Sequence, residues 1–188
     1  MQRAVLGSIN RVREPQHAIS PLDAKDHSSV DQLIRRAFET DAQPAAQVLE
    51  APLVEQLRVD GDMLFERMLV DGAGLIRGHV AVSRVRVSGT PVLSAGQLAP
   101  VSVHPLAQGQ GIGKQLIRSA IDVARSQRLD VLFVLGNPDY YDALGFEYCE
   151  IKSAYGPSAF YRACFLQGGS MDLSQAEVTL APAFMVLD

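Results

Sequence analysis

The stretch Gln108-Gly109-Gln110-Gly111-Ile112-Gly113-Lys114 constrains this chain more than any other part of it. It follows a β-branched run that ends at Val103 and leads into a segment, from Ile112 onward, whose apolar residues repeat at helical spacing. Glycine lets a main chain approach a ligand closely. The first turn of a helix leaves its N–H groups unpaired at the positive end of the helix dipole. Strand, glycine loop and helix in that order therefore predict an anion site, and a phosphate is its natural occupant. The plain alternative is a turn that only connects two elements, and three glycines in five residues exceed what a connection needs. A P-loop would require glycine at 108 and Ser or Thr at 115, where the chain has Gln108 and Gln115. A dinucleotide fingerprint would require glycine or alanine at 114 or 116, where Lys114 and Leu116 stand.

The elements around the loop follow from periodicity. Ile112, Leu116, Ala120 and Val123 or Ala124 predict a helix over 112–127. Asp130 to Leu135 is a continuous apolar run of strand length, which suits a strand covered on both faces. With the strand Leu98–Val103 these form one right-handed βαβ crossover. Upstream, Leu64–Val70 and Gly78–Val87 predict a hairpin around Asp71, Gly72 and Gly74, with the next turn at Ser88, Gly89 and Thr90. Leu33, Ile34, Ala37 and Phe38 share one face of a helix over Asp31–Phe38, a second helix covers Pro52–Arg58, and Ile19 begins a first strand. After Gly136, the run Asn137-Pro138-Asp139-Tyr140-Tyr141 predicts a turn and at most one helical turn before Gly145. Phe146 to Asp188 alternates short apolar runs with glycine and proline, as closing strands do. Residues 1–17 show neither period and read as a flexible N-terminal arm, which leaves 18–188 as a single domain.

Composition excludes several functions. The net charge is -4, with both signs interspersed, so no cationic surface of the kind that neutralises a nucleic acid is expected. Cys149 and Cys164 are the only cysteines, too few for a disulfide framework and without zinc-ligand spacing, which fits a reducing, cytoplasmic setting. The four histidines form no metal pattern, so no metal is expected. The opening residues are too polar for a secretory leader, and no apolar run reaches membrane-spanning length.

Val101, Val103, Pro105, Gln108, Gly111, Ile112, Gly113 and Leu116 resemble the pyrophosphate-binding motif of the GNAT superfamily of N-acetyltransferases. Tyr141, followed by Gly145-Phe146, resembles the second cofactor motif of that family, and Gly78-His79-Val80 and Ala181-Pro182-Ala183-Phe184 are similar to one bacterial branch. The resemblance runs from about Ile19 to the C-terminus and is specific between 98 and 146. It implies an α+β (mixed α/β) fold of GNAT type: a central mixed, largely antiparallel sheet with one splayed parallel βαβ crossover and helices on both faces.

It also implies acetyl-CoA as co-substrate. Val101, Ser102 and Val103 would pair through their main chain with the pantetheine arm. Gln108, Gly109, Gln110, Gly111, Ile112, Gly113 and Lys114 would cradle the pyrophosphate, and Lys114 reads equally well as a solvated helix residue. Tyr141 matches the tyrosine that protonates the departing thiolate, with Tyr140 beside it as the neighbour that would exchange roles. Asn137 is a cofactor contact by resemblance, although Pro138-Asp139 directly after it shortens the helix that normally carries it.

The expected reaction is direct attack of a neutral primary amine, of a small molecule or peptide, on the acetyl carbonyl, with the oxyanion held by a strand N–H such as that of Val103. The base is not identified by the sequence. The strand before the loop offers Gln97, Ser102 and His104, and Glu66, His79 and Glu147 are further candidates whose first reading is structural. The competing function is a non-catalytic module that binds acyl-CoA and reports on it. The acceptor is not readable from the chain, and a homodimer is left open.

Overall fold

A computed structural model of the chain describes residues 17–89, 93–153, 159–169 and 171–187. The expected arm lies outside the described residues apart from His17, as does Thr90 of the turn expected at 88–90. The chain begins with strand β1 (Ala18–Pro21) and helices α1 (His27–Phe38) and α2 (Glu50–Val59). Three antiparallel strands follow: β2 (Met63–Val70), β3 (Ile76–Ser88) and β4 (Ala95–Val103). The glycine loop leads into α3 (Ile112–Ser126), and β5 (Val131–Leu135) returns parallel to β4. After α4 (Pro138–Asp142) come β6 (Glu147–Tyr148), β7 (Lys152–Ser153), β8 (Tyr161–Phe165) and β9 (Glu177–Leu180).

Among the described residues these strands form one sheet in the order β1-β2-β3-β4-β5-β8-β6, with β9 pairing the far end of β3 and β7 pairing β9. The predicted crossover and hairpin are both present. The two largest boundary differences have physical reasons. Helix α1 starts at His27, not Asp31, because Val30 extends its buried face by a turn that the polar Ser28-Ser29 pair hides in the sequence. Strand β4 starts at Ala95, not Leu98, because Gly96, a weak strand former, is needed where a Cβ would stand 2.8 Å from the Val82 side chain.

Each face of the sheet carries its own helices. Ile112, Leu116, Ile117, Ala120, Ile121 and Ala124 of α3 pack on Val80, Val82, Leu98 and Leu132. On the opposite face, Val30 and Ile34 of α1 and Ala51 and Val54 of α2 cover Ala81. Gly78 sets the closeness of α3: a Cβ there would lie 2.7 Å from Leu116 and 2.8 Å from Ile112, so the missing side chain seats the start of α3 directly on the sheet. Cys149 and Cys164 are both buried and unbonded. Among the described residues no helix is long and apolar enough to cross a membrane, and no group of three or more His, Cys, Asp or Glu is placed to hold a metal.

Candidate active site

Strand β4 pairs with β5 only at Ala95, Gly96 and Gln97, after which the two diverge. The cause is local. Between Val80↔Val101 and Val82↔Leu98 the register with β3 slips, so that Ala99 and Pro100 together oppose one residue, a bulge at which Pro100 has no N–H to give the ladder. Beyond the bulge, His104 donates its N–H to the Arg77 carbonyl (2.9 Å), facing β3. Because antiparallel pairs alternate, Val101 and Val103 turn their main-chain groups the other way, toward the open side of the splay. The Val103 carbonyl accepts the Gln108 Nε2 (3.2 Å), which confirms the direction and ties the loop to the strand.

A cleft of about 460 Å³ lies at this opening. Of the predicted residues it is lined by Val101, Val103, Gln108, Gly109, Gly111, Ile112, Gly113, Lys114 and Tyr141. Gly109 (φ +75°) and Gly111 (φ +78°) hold left-handed conformations, and a Cβ built on either meets nothing within 4 Å. The loop therefore presents bare main chain to open space, immediately ahead of the unpaired N–H groups of Ile112, Gly113 and Lys114. That arrangement fits a diphosphate. One expected donor is committed elsewhere, since the Gln108 N–H is taken by the Pro105 carbonyl (3.3 Å).

Three predicted residues are not brought to the cleft. Ser102 is fully buried on the opposite face of β4, because strand alternation that turns Val101 and Val103 to the opening must turn Ser102 away. Gln110 is exposed and its amide donates to the Leu106 carbonyl (3.2 Å). Asn137 caps α4, its Oδ1 accepting the Tyr140 N–H at 3.4 Å. Conversely, Ala37, Phe38, Ala107 and Tyr140 line the cleft without having been singled out as cofactor contacts. For Ala37 and Phe38 the signal was present in the apolar face of α1, but nothing in that face indicated that its end overhangs the loop.

Tyr141 packs edge-on against Phe146 (ring centroids 5.6 Å) and Tyr140 (5.2 Å), and the absent side chain of Gly136 gives its ring room. Its hydroxyl has no protein hydrogen bond among the described residues and is free for a group bound in the cleft. Burial, with Tyr140 alongside, pushes the phenol up to about 12. Tyr140 lies closer to the loop, its hydroxyl 2.6 Å from where a Gly113 Cβ would stand.

Of the candidate bases, Glu66 and His79 are held in a buried network with Arg58. Burial alone would raise the Glu66 carboxyl, but two hydrogen bonds from Arg58 (2.8 and 2.6 Å) and one with His79 (2.8 Å) hold it down at about 2. His79 is fully buried, which pushes its imidazole below the ordinary histidine value and keeps it neutral. Glu147 is exposed on β6, away from the cleft lining.

Comparison with known proteins places these features in a family. The acetyltransferase (GNAT) domain matches residues 66–148. The chain is 35% identical over 127 residues to an uncharacterized N-acetyltransferase of Escherichia coli, YhbS, covering 68% of this chain and 70% of that protein. It is 31% identical to a second from the same organism, YjhQ, over 77% of this chain and 79% of that one. The crystal structure of E. coli YhbS in complex with CoA superposes with a TM-score of 0.79 at 26% identity, covering 94% of this chain and 96% of that chain. A GNAT family acetyltransferase from Brucella melitensis, in complex with acetyl-CoA, gives a TM-score of 0.74 at 26% identity over 90% and 98% of the two chains. With its splayed strand and glycine loop, this chain belongs to the GNAT family of N-acetyltransferases.

Proposed function

We propose that this protein transfers the acetyl group of acetyl-CoA to a primary amine of a small molecule or peptide by direct attack. One observation carries the reading: a single cleft joins the bare glycine loop, the outward-facing main chain of Val101 and Val103, and an unengaged tyrosine hydroxyl. Acetyl-CoA supplies the thioester. The loop and the first turn of α3 hold its diphosphate, and β4 pairs with the amide groups of its pantetheine arm. The attacking nitrogen forms a C–N bond as the C–S bond breaks, and the proton that the nitrogen gives up balances the one gained by the leaving sulfur.

Tyr141 acts on that sulfur. Burial raises the phenol, and burial in the same cleft raises a departing thiol as well, so the ordinary ordering of a phenol at about 10 and a thiol at about 8.5 is kept. Its contribution is a hydrogen bond donated to charge as it develops on sulfur, ending with the proton on the departing thiol.

Tyr141→Phe should lower turnover on the order of a hundredfold while acetyl-CoA affinity changes far less, because the bond strengthens only in the transition state. Tyr140→Phe is the control. Turnover lost in the control and kept in Tyr141→Phe would transfer the role to Tyr140, and loss in neither would leave the thiolate to water. A mixture of primary amines incubated with enzyme and acetyl-CoA, read by mass spectrometry, tests the transfer itself. Calorimetric binding of acetyl-CoA without any acetylated product would instead favour a non-catalytic acyl-CoA-binding module.

A further inference from the structure

Helix α4 has five residues and carries both tyrosines. A single turn has no stability of its own, so its orientation is imposed from outside. At its start the Asn137 side chain caps the Tyr140 N–H, which fixes where the turn begins but not its roll about its axis. At its end Asp142 meets Arg162 of β8, with Nε to Oδ1 at 2.7 Å. The guanidinium is itself immobilised: Nη1 donates to the carbonyls of Ala159 (2.7 Å) and Tyr161 (3.0 Å), and the group lies 5.6 Å from the Tyr148 ring centroid.

The exposures are unequal, the Arg162 side chain being 8% exposed and that of Asp142 51%. A half-solvated carboxylate contributes little to stability through such a pair. Its geometric effect is larger. Arg162 is fixed to the sheet, so the ion pair fixes the end of α4 to the sheet as well. Tyr141 is the residue directly before Asp142, one helical step of rotation away, so the roll that satisfies the ion pair also sets where the Tyr141 ring points. We infer that Asp142 and Arg162 are positioning residues for Tyr141, holding its hydroxyl over the cleft through the roll of α4; this rests on the role proposed above for that hydroxyl.

A misplacement of about 1 Å at a reacting group costs up to a hundredfold in rate, and partial loosening of α4 should cost about tenfold. The experiment introduces Asp142→Asn into the wild-type chain and into Tyr141→Phe, and follows thiol release from acetyl-CoA with a mixture of primary amines as acceptors. Asp142→Asn should lower turnover about tenfold in the wild type, leave the dissociation constant of CoA within about twofold and hardly shift the melting temperature. In the Tyr141→Phe background it should change turnover less than about twofold, because the group it positions is already gone. Asp142→Glu, which retains the charge, should recover part of the loss. Equal losses in both backgrounds, or no loss in the wild type, would overturn the inference. If Tyr141→Phe alone keeps full turnover, the reading of Tyr141 itself fails, a result distinct from a Tyr141→Phe loss that Asp142→Asn does not reproduce.

Discussion

Replacing Gly111 with alanine adds one methyl group at the N-cap of α3, and the structure separates its two consequences. Gly111 has φ +78°, where an L-residue pays for the left-handed conformation by about 1–2 kcal/mol. For a chain of this length that corresponds to a melting temperature lower by about 2–8 °C. Gly61, at the end of α2, has φ +75° and likewise no atom within 4 Å of its Cβ, so Gly61→Ala imposes the same strain far from the loop. The second consequence belongs to Gly111 alone: its methyl would stand in the open space over the loop, beside the N–H groups of Ile112 and Gly113. Displacing a diphosphate from one such charge-assisted hydrogen bond costs about 1.5–3 kcal/mol, or roughly tenfold to a hundredfold in CoA affinity. Thermal unfolding and CoA calorimetry on both variants give the answer. Two variants destabilised alike, with CoA affinity falling only in Gly111→Ala, are expected; equal affinities would show that the cofactor does not seat on this loop.

Gly136→Ala should lower turnover more than CoA affinity, since the new Cβ would run into the ring edge of Tyr141 and shift its hydroxyl; steady-state kinetics with intact turnover would refute the packing argument. The Glu66 carboxyl is held below its ordinary value of 4.5, at about 2, so its contribution of about 3 kcal/mol is fully present above pH 4.5 and is lost as pH falls toward 2. His79, kept neutral by burial, opposes folding once the unfolded imidazole begins to charge below about 6.5, so both groups lower stability on acidification. Glu66→Gln, which strands Arg58, should cost about 3–5 kcal/mol at neutral pH and flatten the part of the acid limb below pH 4.5. Denaturant titrations at several pH values that keep the wild-type slope in the variant would contradict this.

The βαβ core was legible because its signals are local. The stripe Ile112, Leu116, Ala120 and the apolar run of β5 each specify one element, and chirality specifies their connection. The choice between Val123 and Ala124 was not local, and the structure buries Ala124. Motif position placed the loop residues other than Gln110 in the cleft but could not tell Ser102 from its neighbours, because a main-chain role carries no side-chain signature. Which face Ser102 takes depends on the register with β3, where it opposes His79. Nor could it show the overhang of Phe38 or the pairing of β9 with the end of β3, both set by tertiary packing between distant segments. Arg162 and Asp142, twenty residues apart, share no periodic or motif relation, and only the antiparallel return of β8 beside β5 brings them together.

The bulge at Ala99–Pro100 has a consequence for how this sheet coexists with other chains. Unpaired strand main chain at the margin of a sheet invites a neighbouring protein to add a strand, and natural proteins usually shield such margins. Here the unpaired stretch of β4 lies between strands that rejoin at Ala95–Gln97, so a foreign polypeptide would have to thread a narrowing wedge roofed by α3 and the end of α1. A slender chain with its own amide groups meets no such barrier. The same misfit in the ladder thus works as a size filter, leaving backbone hydrogen-bonding capacity open to a small linear molecule while withholding it from the strands of other proteins.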